Sequence, residues 1–116
     1  MSASCIFCQI VAGNAPAHIF YRDDQVVAFK DIHPLTPVHL LVVSTQHISS
    51  LNDAGQDVTP LLGHMIAVAR QLAIEQGVHQ SGYRLMINTG PDAGQSVFHL
   101  HLHLIGGRHM PFRFGS

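Results

Sequence analysis

The rhythm of apolar and polar positions changes along this chain, and each change marks an element. Residues 17–24 (AHIFYRDD) and 25–32 (QVVAFKDI) are rich in β-branched and aromatic side chains, with Asp23-Asp24 as a polar turn before the second run. His33-Pro34-Leu35-Thr36-Pro37 then breaks the backbone, because two prolines cannot sit inside a sheet. Residues 38–44 (VHLLVVS) resume as a strand, and their unbroken apolar run predicts burial on both faces. The period lengthens at Thr59-Pro60, which reads as an N-cap followed by proline in the first helical turn. Leu61, Leu62, Met65, Val68, Ala69 and Leu72 recur at helical spacing until Gly77. Residues 83–89 (YRLMINT) and 97–105 (VFHLHLHLI) predict two further strands, separated by the loop Gly90-Pro91-Asp92-Ala93-Gly94, and Gly106-Gly107 closes the last. A short helix is expected around Cys5 to Val11. These elements sum to an α+β fold: a mostly antiparallel five-stranded sheet, one main helix and a short N-terminal helix. With no repeat, charge run or Pro/Gly/Ser-rich linker, residues 1–116 read as one domain.

Composition narrows the function classes. A chain of 116 residues, 47% hydrophobic and only 11% charged, has enough apolar material for a core and is not that of a disordered segment. A formal net charge of −1 provides no basic field for a nucleic-acid backbone. No apolar run approaches the roughly 18 residues that a membrane span needs. The opening MSASCIFCQI lacks the cationic start and long apolar stretch of a secretory signal. Cytoplasmic residence, with neither nucleic acid nor membrane as partner, is the expectation. Two cysteines, Cys5 and Cys8, are too few for a disulfide framework, and C-x-x-C in a reducing compartment points to metal or redox chemistry. Ten histidines against six lysines plus arginines are what composition leaves unexplained.

Position explains part of that excess. His99, His101 and His103 alternate with Leu100, Leu102 and Leu104, so a strand presents three imidazoles on one face and three leucines on the other. Imidazole titrates nearest neutral pH, and three together offer a nucleophile, a proton donor or a metal site. The preceding Gly94-Gln95-Ser96 favours phosphorus chemistry. Glycine-containing loops turn backbone N–H groups toward an anion, and Ser96 adds a hydroxyl. Asn88 adds an amide. An uncharged cradle of this kind suits a chain so poor in cations. Ordinary loop polarity would account for Gln95 and Ser96 taken alone. Asp31 before His-Pro equally suits a turn cap, Phe29 and Ile32 suit a core, and His39 suits a satisfied buried histidine.

His99-Leu100-His101-Leu102-His103-Leu104-Ile105 resembles the signature of the histidine-triad family. The likeness extends over nearly the whole chain, through Cys5-Ile-Phe-Cys8, Phe29-Lys-Asp31-Ile32, Pro37-Val-His39, Gly82 to Asn88 and Gly94-Gln-Ser96. It is greatest to the Hint-type branch, the purine nucleoside phosphoramidases. The resemblance implies a HIT-like fold, and hydrolysis of nucleoside 5′-phosphoramidates through a covalent nucleotidyl-histidine. It implies His101 as nucleophile, His103 on the phosphate, and Ser96 assisting departure of the amine. His39 would hold the His101 imidazole in its productive tautomer, with the His99 carbonyl as acceptor. It further implies Asp31 on the ribose hydroxyls, Phe29 and Ile32 around a purine, and Asn88, Gly94, Gln95 and Ser96 beside the nucleotide. The competing functions are a dinucleoside polyphosphate hydrolase of the same family and a non-enzymatic nucleotide- or zinc-binding module.

Some members of that family bind zinc through such a cysteine pair and two histidines, which correspond here to His47 and His99. The four residues make a Cys2His2 set of structural type, apart from catalysis. Two reduced thiols beside incidental histidines is the plainer reading, and a redox dithiol lacks its usual βαβ context. The family also dimerises, which here implies a homodimer through the main helix and the segment after Tyr83. The tail carrying Phe112 and Phe114 would reach toward the partner's site. His18, His33, His64, His79 and His109 read as structural or solvated.

Overall fold

A computed structural model describes residues 4–111. The tail phenylalanines Phe112 and Phe114 lie outside the described residues. Helix α1 (Ile6–Val11) is followed by strands β1 (Ile19–Arg22), β2 (Val26–Lys30) and β3 (Val38–Ser44), helix α2 (Thr59–Glu75), and strands β4 (Tyr83–Met86) and β5 (His101–Gly106). The five strands form one sheet in the order β1-β2-β3-β5-β4, and every pairing is antiparallel. The expected class and element order hold.

The central position of β3 explains its apolar run. Its residues on one face, Leu40 and Val42, join Val26, Ala28, Leu100, Leu102 and Leu104 in a core. Helix α2 covers that face with Leu61, Met65, Val68, Ala69, Leu72 and Ala73. On the opposite face Leu41 and Val43 join Val27 and Phe29 beneath Phe7 and Ile10 of α1. The two helices therefore lie on opposite sides of the sheet. Cross-strand register carries this parity into β5, where Leu41 faces His103 and Val43 faces His101. The imidazoles thus share the α1 side and the leucines the α2 side.

Boundaries depart from the sequence reading where local hydrogen bonds override propensity. Strand β5 begins at His101 rather than Val97. Just before it, the Leu100 N–H donates to the Ile48 carbonyl at 2.6 Å, drawing the chain toward residues 45–50. The alternation between faces persists through that segment: Leu100 joins the α2-side core while His99 packs against Phe7 of α1, and both are buried. Thr59 is not the N-cap of α2. The 3₁₀ turn Gln56–Val58 runs straight into the helix, so Thr59 already has helical angles and Val58 takes the cap position without a side-chain bond. The far end is as expected: Gly77, at φ +74°, donates to the Ile74 carbonyl, and Val78 donates to Ala73. Gly107 closes β5 at φ +98°, and a Cβ there would approach Pro37 to 3.0 Å.

One polar cluster ties α2 to the β1–β2 turn. His64 Nε2 lies 2.7 Å from Asp23 Oδ2, the Tyr21 hydroxyl donates to the same oxygen, and the N–H groups of Gln25 and Val26 donate to Oδ1. Burial opposes the charge on Asp23, yet these bonds hold its carboxyl well below the usual range. His64 is thus structural, as expected. Among the described residues, no helix is long and apolar enough to cross a membrane.

The leucine face of β5 should carry much of the stability. Leu102 is 2% exposed and packs among α2 and the central strands. Leu102→Ala should lower the unfolding free energy by about 2–5 kcal/mol, read by urea denaturation with an unchanged m-value.

Candidate active site

A cavity of about 360 Å³ opens on the α1 side of the sheet, where β5 presents its imidazoles. His101, His103, Ser96, Gln95, Gly94 and Asn88 line it, together with Phe29, Asp31 and Ile32 from the end of β2 and the loop beyond. Of the residues expected at a substrate site, only His39 sits outside this lining. It lies 2% exposed, with Nε2 3.0 Å from His103 Nδ1.

Hydrogen bonds fix the proton on each ring. The Leu35 N–H donates to His39 Nδ1 at 3.0 Å, so that nitrogen is an acceptor and Nε2 carries the hydrogen. His39 Nε2–H therefore donates to His103 Nδ1, with Asp31 Oδ2 3.4 Å away as a second acceptor. His103 is left with its hydrogen on Nε2, as a donor. The His99 carbonyl can only accept, so His101 Nδ1 donates to it at 2.6 Å. His101 Nε2 then keeps a free lone pair, which is the nucleophilic form of a neutral imidazole. This corrects one expectation. His39 orients His103, not His101, because His39 pairs across the ladder with Ile105 and its ring reaches His103 first. The His99 carbonyl alone sets the His101 tautomer.

Electrostatics keep these rings neutral. Burial pushes the His101 and His39 imidazoles below the ordinary histidine range, against opposing contributions from the His99 carbonyl bond and Asp31. Burial, with the neighbouring His101 and His39, pushes His103 down to about 4.

Asp31 caps a turn and also stands at the cavity: its Oδ1 accepts from the His33 N–H at 2.8 Å, while the residue still forms part of the lining. Phe29 is likewise both core, at 3% exposure, and cavity wall. Ile32 is not core: it stands 82% exposed at the rim. Gln95 is buried, and its side chain is spent inward. Its Oε1 accepts from the Gly90 N–H, and its Nε2 donates to the carbonyls of Ser49 and Val97. It stiffens the loop at 90–97, and the expected cradle of backbone N–H groups is spent there too: the Gln95 N–H donates to the Gly90 carbonyl at 3.1 Å and the Gly94 N–H to the Pro91 carbonyl at 3.0 Å. Gly94 takes φ +80° there, a left-handed conformation that glycine adopts without strain.

Ile6, Phe7 and Ile10 of α1 and Lys30 of β2 also line the cavity, and the sequence reading missed them. The apolar spacing 6, 7, 10 marks a helix face. It did not say which face of the sheet the helix would cover. Beside the cavity, one ring nitrogen of His47, one of His99 and the sulfurs of Cys5 and Cys8 lie within 4.8 Å of one another. His99 Nε2 donates to the Ser44 carbonyl at 2.7 Å, which leaves Nδ1 as a lone pair 3.3 Å from Cys5 Sγ and 3.6 Å from Cys8 Sγ. His47 Nδ1 stands 3.2 Å from Cys8 Sγ. Two thiols and a correctly tautomerised imidazole, gathered on one point, suit a tetrahedral metal ion.

Residues 4–114 match the family described as "Scavenger mRNA decapping enzyme C-term binding". The chain is 42% identical to the purine nucleoside phosphoramidase of Escherichia coli K12 over 108 residues, covering 93% of this chain and 91% of that protein. It is 45% identical to a HIT-like protein of Synechococcus elongatus over the same length, covering 93% and 94%. A HIT family hydrolase from Legionella pneumophila superposes with a TM-score of 0.93 at 41% identity, covering 97% of this chain and all of that one. A zinc-bound histidine triad family protein from Mycobacterium smegmatis superposes with a TM-score of 0.79 at 39% identity, covering 90% and 76%. The fold and its row of imidazoles define a histidine-triad domain. The chain belongs to the histidine-triad family.

Lowered histidine pKa values predict how stability follows pH. Unfolded histidine titrates near 6.5, and His103 in the fold near 4, so between these values the unfolded chain binds the extra proton. Stability therefore rises with pH across that window and is lost on acidification. The melting temperature should fall from pH 7 to pH 4.5, and His103→Gln should flatten that fall.

Proposed function

We propose that this chain hydrolyses purine nucleoside 5′-phosphoramidates, releasing the nucleoside monophosphate and an amine. The observation that carries the reading is His101, held by its Nδ1–H bond to the His99 carbonyl so that Nε2 is a free lone pair in a cavity that also holds Asp31. The related E. coli protein, a purine nucleoside phosphoramidase by name, supports the same reaction class.

In this mechanism the base lies between Phe29 and Ile32, and Asp31 accepts hydrogen bonds from the ribose hydroxyls. The α-phosphate lies beside the Gly94–Gln95 turn and meets the Asn88 amide, and His103 Nε2–H donates to one of its oxygens. His101 Nε2 attacks the phosphorus as the phosphorus–nitrogen bond breaks, and Ser96 helps deliver a proton to the departing amine. Water then attacks the phosphohistidine: its hydroxyl stays on phosphorus, its other proton replaces the one that Ser96 passed to the amine, and His101 leaves as neutral imidazole as the phosphorus–Nε2 bond breaks. Splitting one hard displacement into two easier ones is the gain of a covalent intermediate. Neutral rings suit this role, because a protonated His101 could not attack.

The Cys5, Cys8, His47 and His99 set would hold zinc, supplying a structural crosslink between α1 and the strand side of the site. The zinc-bound relative supports this reading. With four protein ligands a metal there has no open position for substrate. The preparation should contain about one zinc per chain, and Cys5→Ser/Cys8→Ser should lose it. A metal-free, fully folded native protein would refute the assignment. A homodimer is part of the same proposal: Ile66 and Ile74 stand about half exposed on α2, and β4 is an edge strand.

The deciding assay sets an adenosine 5′-phosphoramidate beside a diadenosine polyphosphate, with native protein and His101→Ala. The phosphoramidate should be strongly preferred. His101→Ala should lower kcat by at least about 1,000-fold and form no nucleotidyl-enzyme. Preference for the polyphosphate would move the chain to another substrate class with the same nucleophile. Bound nucleotide without turnover of either compound would make it a binding module.

A further inference from the structure

Helix α1 belongs to two sites at once. Cys5 caps it, with Sγ accepting from the Cys8 N–H at 3.3 Å, and both cysteines face the imidazoles of His47 and His99. The residues between and after them, Ile6, Phe7 and Ile10, form a wall of the catalytic cavity. Phe7 is the tightest link. Its ring packs edge-on against His101 at 5.0 Å, Phe29 at 5.4 Å and His99 at 5.9 Å between centroids. His99 is a second link. Its ring offers Nδ1 to the cysteines, while its carbonyl holds the His101 Nδ1–H. A cavity of about 430 Å³ lined by Cys5 and His47 also touches Ile6, Ser96 and Val97, which line the catalytic cavity too, and gives an ion a route to the cluster.

A six-residue helix is far below the length that sustains itself in water. Its position is therefore set by packing and by whatever joins Cys5 and Cys8 to His47 and His99. We infer that metal binding at these four residues and nucleotide binding in the cavity are thermodynamically linked, with Phe7 and His99 as the positioning residues that connect them. The inference rests on the nucleotide reading above. A metal ion fixes α1 and the His99 ring together, and so raises the fraction of molecules whose cavity wall and His101 tautomer are ready for nucleotide. Apparent nucleotide affinity scales with that fraction. Linkage is reciprocal, so nucleotide must tighten the metal by the same factor.

The test measures Zn²⁺ affinity by chelator competition with and without saturating AMP, and AMP affinity by calorimetry on zinc-loaded and zinc-stripped protein. Both affinities should improve by one common factor of about fivefold or more. Phe7→Ala should bring that factor toward one, and the imidazole ¹⁵N shifts of His101 should report the Nδ1–H tautomer more fully in the loaded protein. Should the stripped protein unfold, the rate of chelator-driven zinc loss from the loaded protein replaces the equilibrium, and AMP should slow it at least about fivefold. AMP affinity that is equal in both forms, or zinc loss at an unchanged rate, overturns the linkage alone. Failure of both forms to bind AMP overturns the nucleotide reading and the linkage with it, and absence of zinc uptake overturns the linkage outright.

Discussion

Burying an imidazole whose N–H finds no partner costs about 1–3 kcal/mol, and the sheet buries His99, His101 and His39 almost completely. The fold meets that constraint with three acceptors, each on a different part of the chain. Ser44 at the end of β3 takes the His99 proton, the His99 carbonyl takes that of His101, and His103 takes that of His39. No buried side-chain nitrogen or oxygen among the described residues lacks a partner. Each acceptor removes one tautomer from consideration, so satisfying the interior and preparing the site are the same event. A rearrangement that left the leucine core intact but moved Ser44 or residue 99 by an ångström would change which nitrogen of each ring is free.

The same burial sets the electrostatics. Rings held neutral by desolvation need no counter-charge, which is how a site with Asp31 as its carboxylate and Lys30 as its cation can present several histidines side by side. Protonated rings of His39 and His101, each with its centroid about 5 Å from that of a protonated His103, would repel it strongly in a partly dry cavity. Neutrality is therefore the condition for packing them, and it also leaves a lone pair available at neutral pH. Asp31, bonded to the His33 N–H and close to His39, works against the depression of the rings without cancelling it.

Much of this was legible before the structure because strands repeat every two residues. Alternation of His and Leu from 99 to 104 fixed which residues share a face, and apolar spacing from Leu61 to Leu72 fixed the covering helix. The illegible parts all depend on distances between elements. Nothing local says that His39 touches His103 and not His101, since that follows from β3–β5 register. Nothing local says that the Gln95 amide turns inward to Ser49, 46 positions away. Thr59 misled because a capping residue and a proline predict a helix start regardless of what precedes them, and here a 3₁₀ turn did.

The sheet divides labour between its faces in a way that suits a small protein. The α2 face is an ordinary apolar core, whose cohesion comes from area removed from water. The α1 face has fewer apolar contacts, a helix of six residues and a cavity between helix and sheet. Left to apolar packing alone, it would be the first region to open, because local opening follows local contact density. The two thiols and two imidazoles that could hold a metal gather on that weaker face, at the N-terminal end of α1. A crosslink there would act where stability is short, and would leave the leucine face to hold β5 in register beneath the histidines it presents.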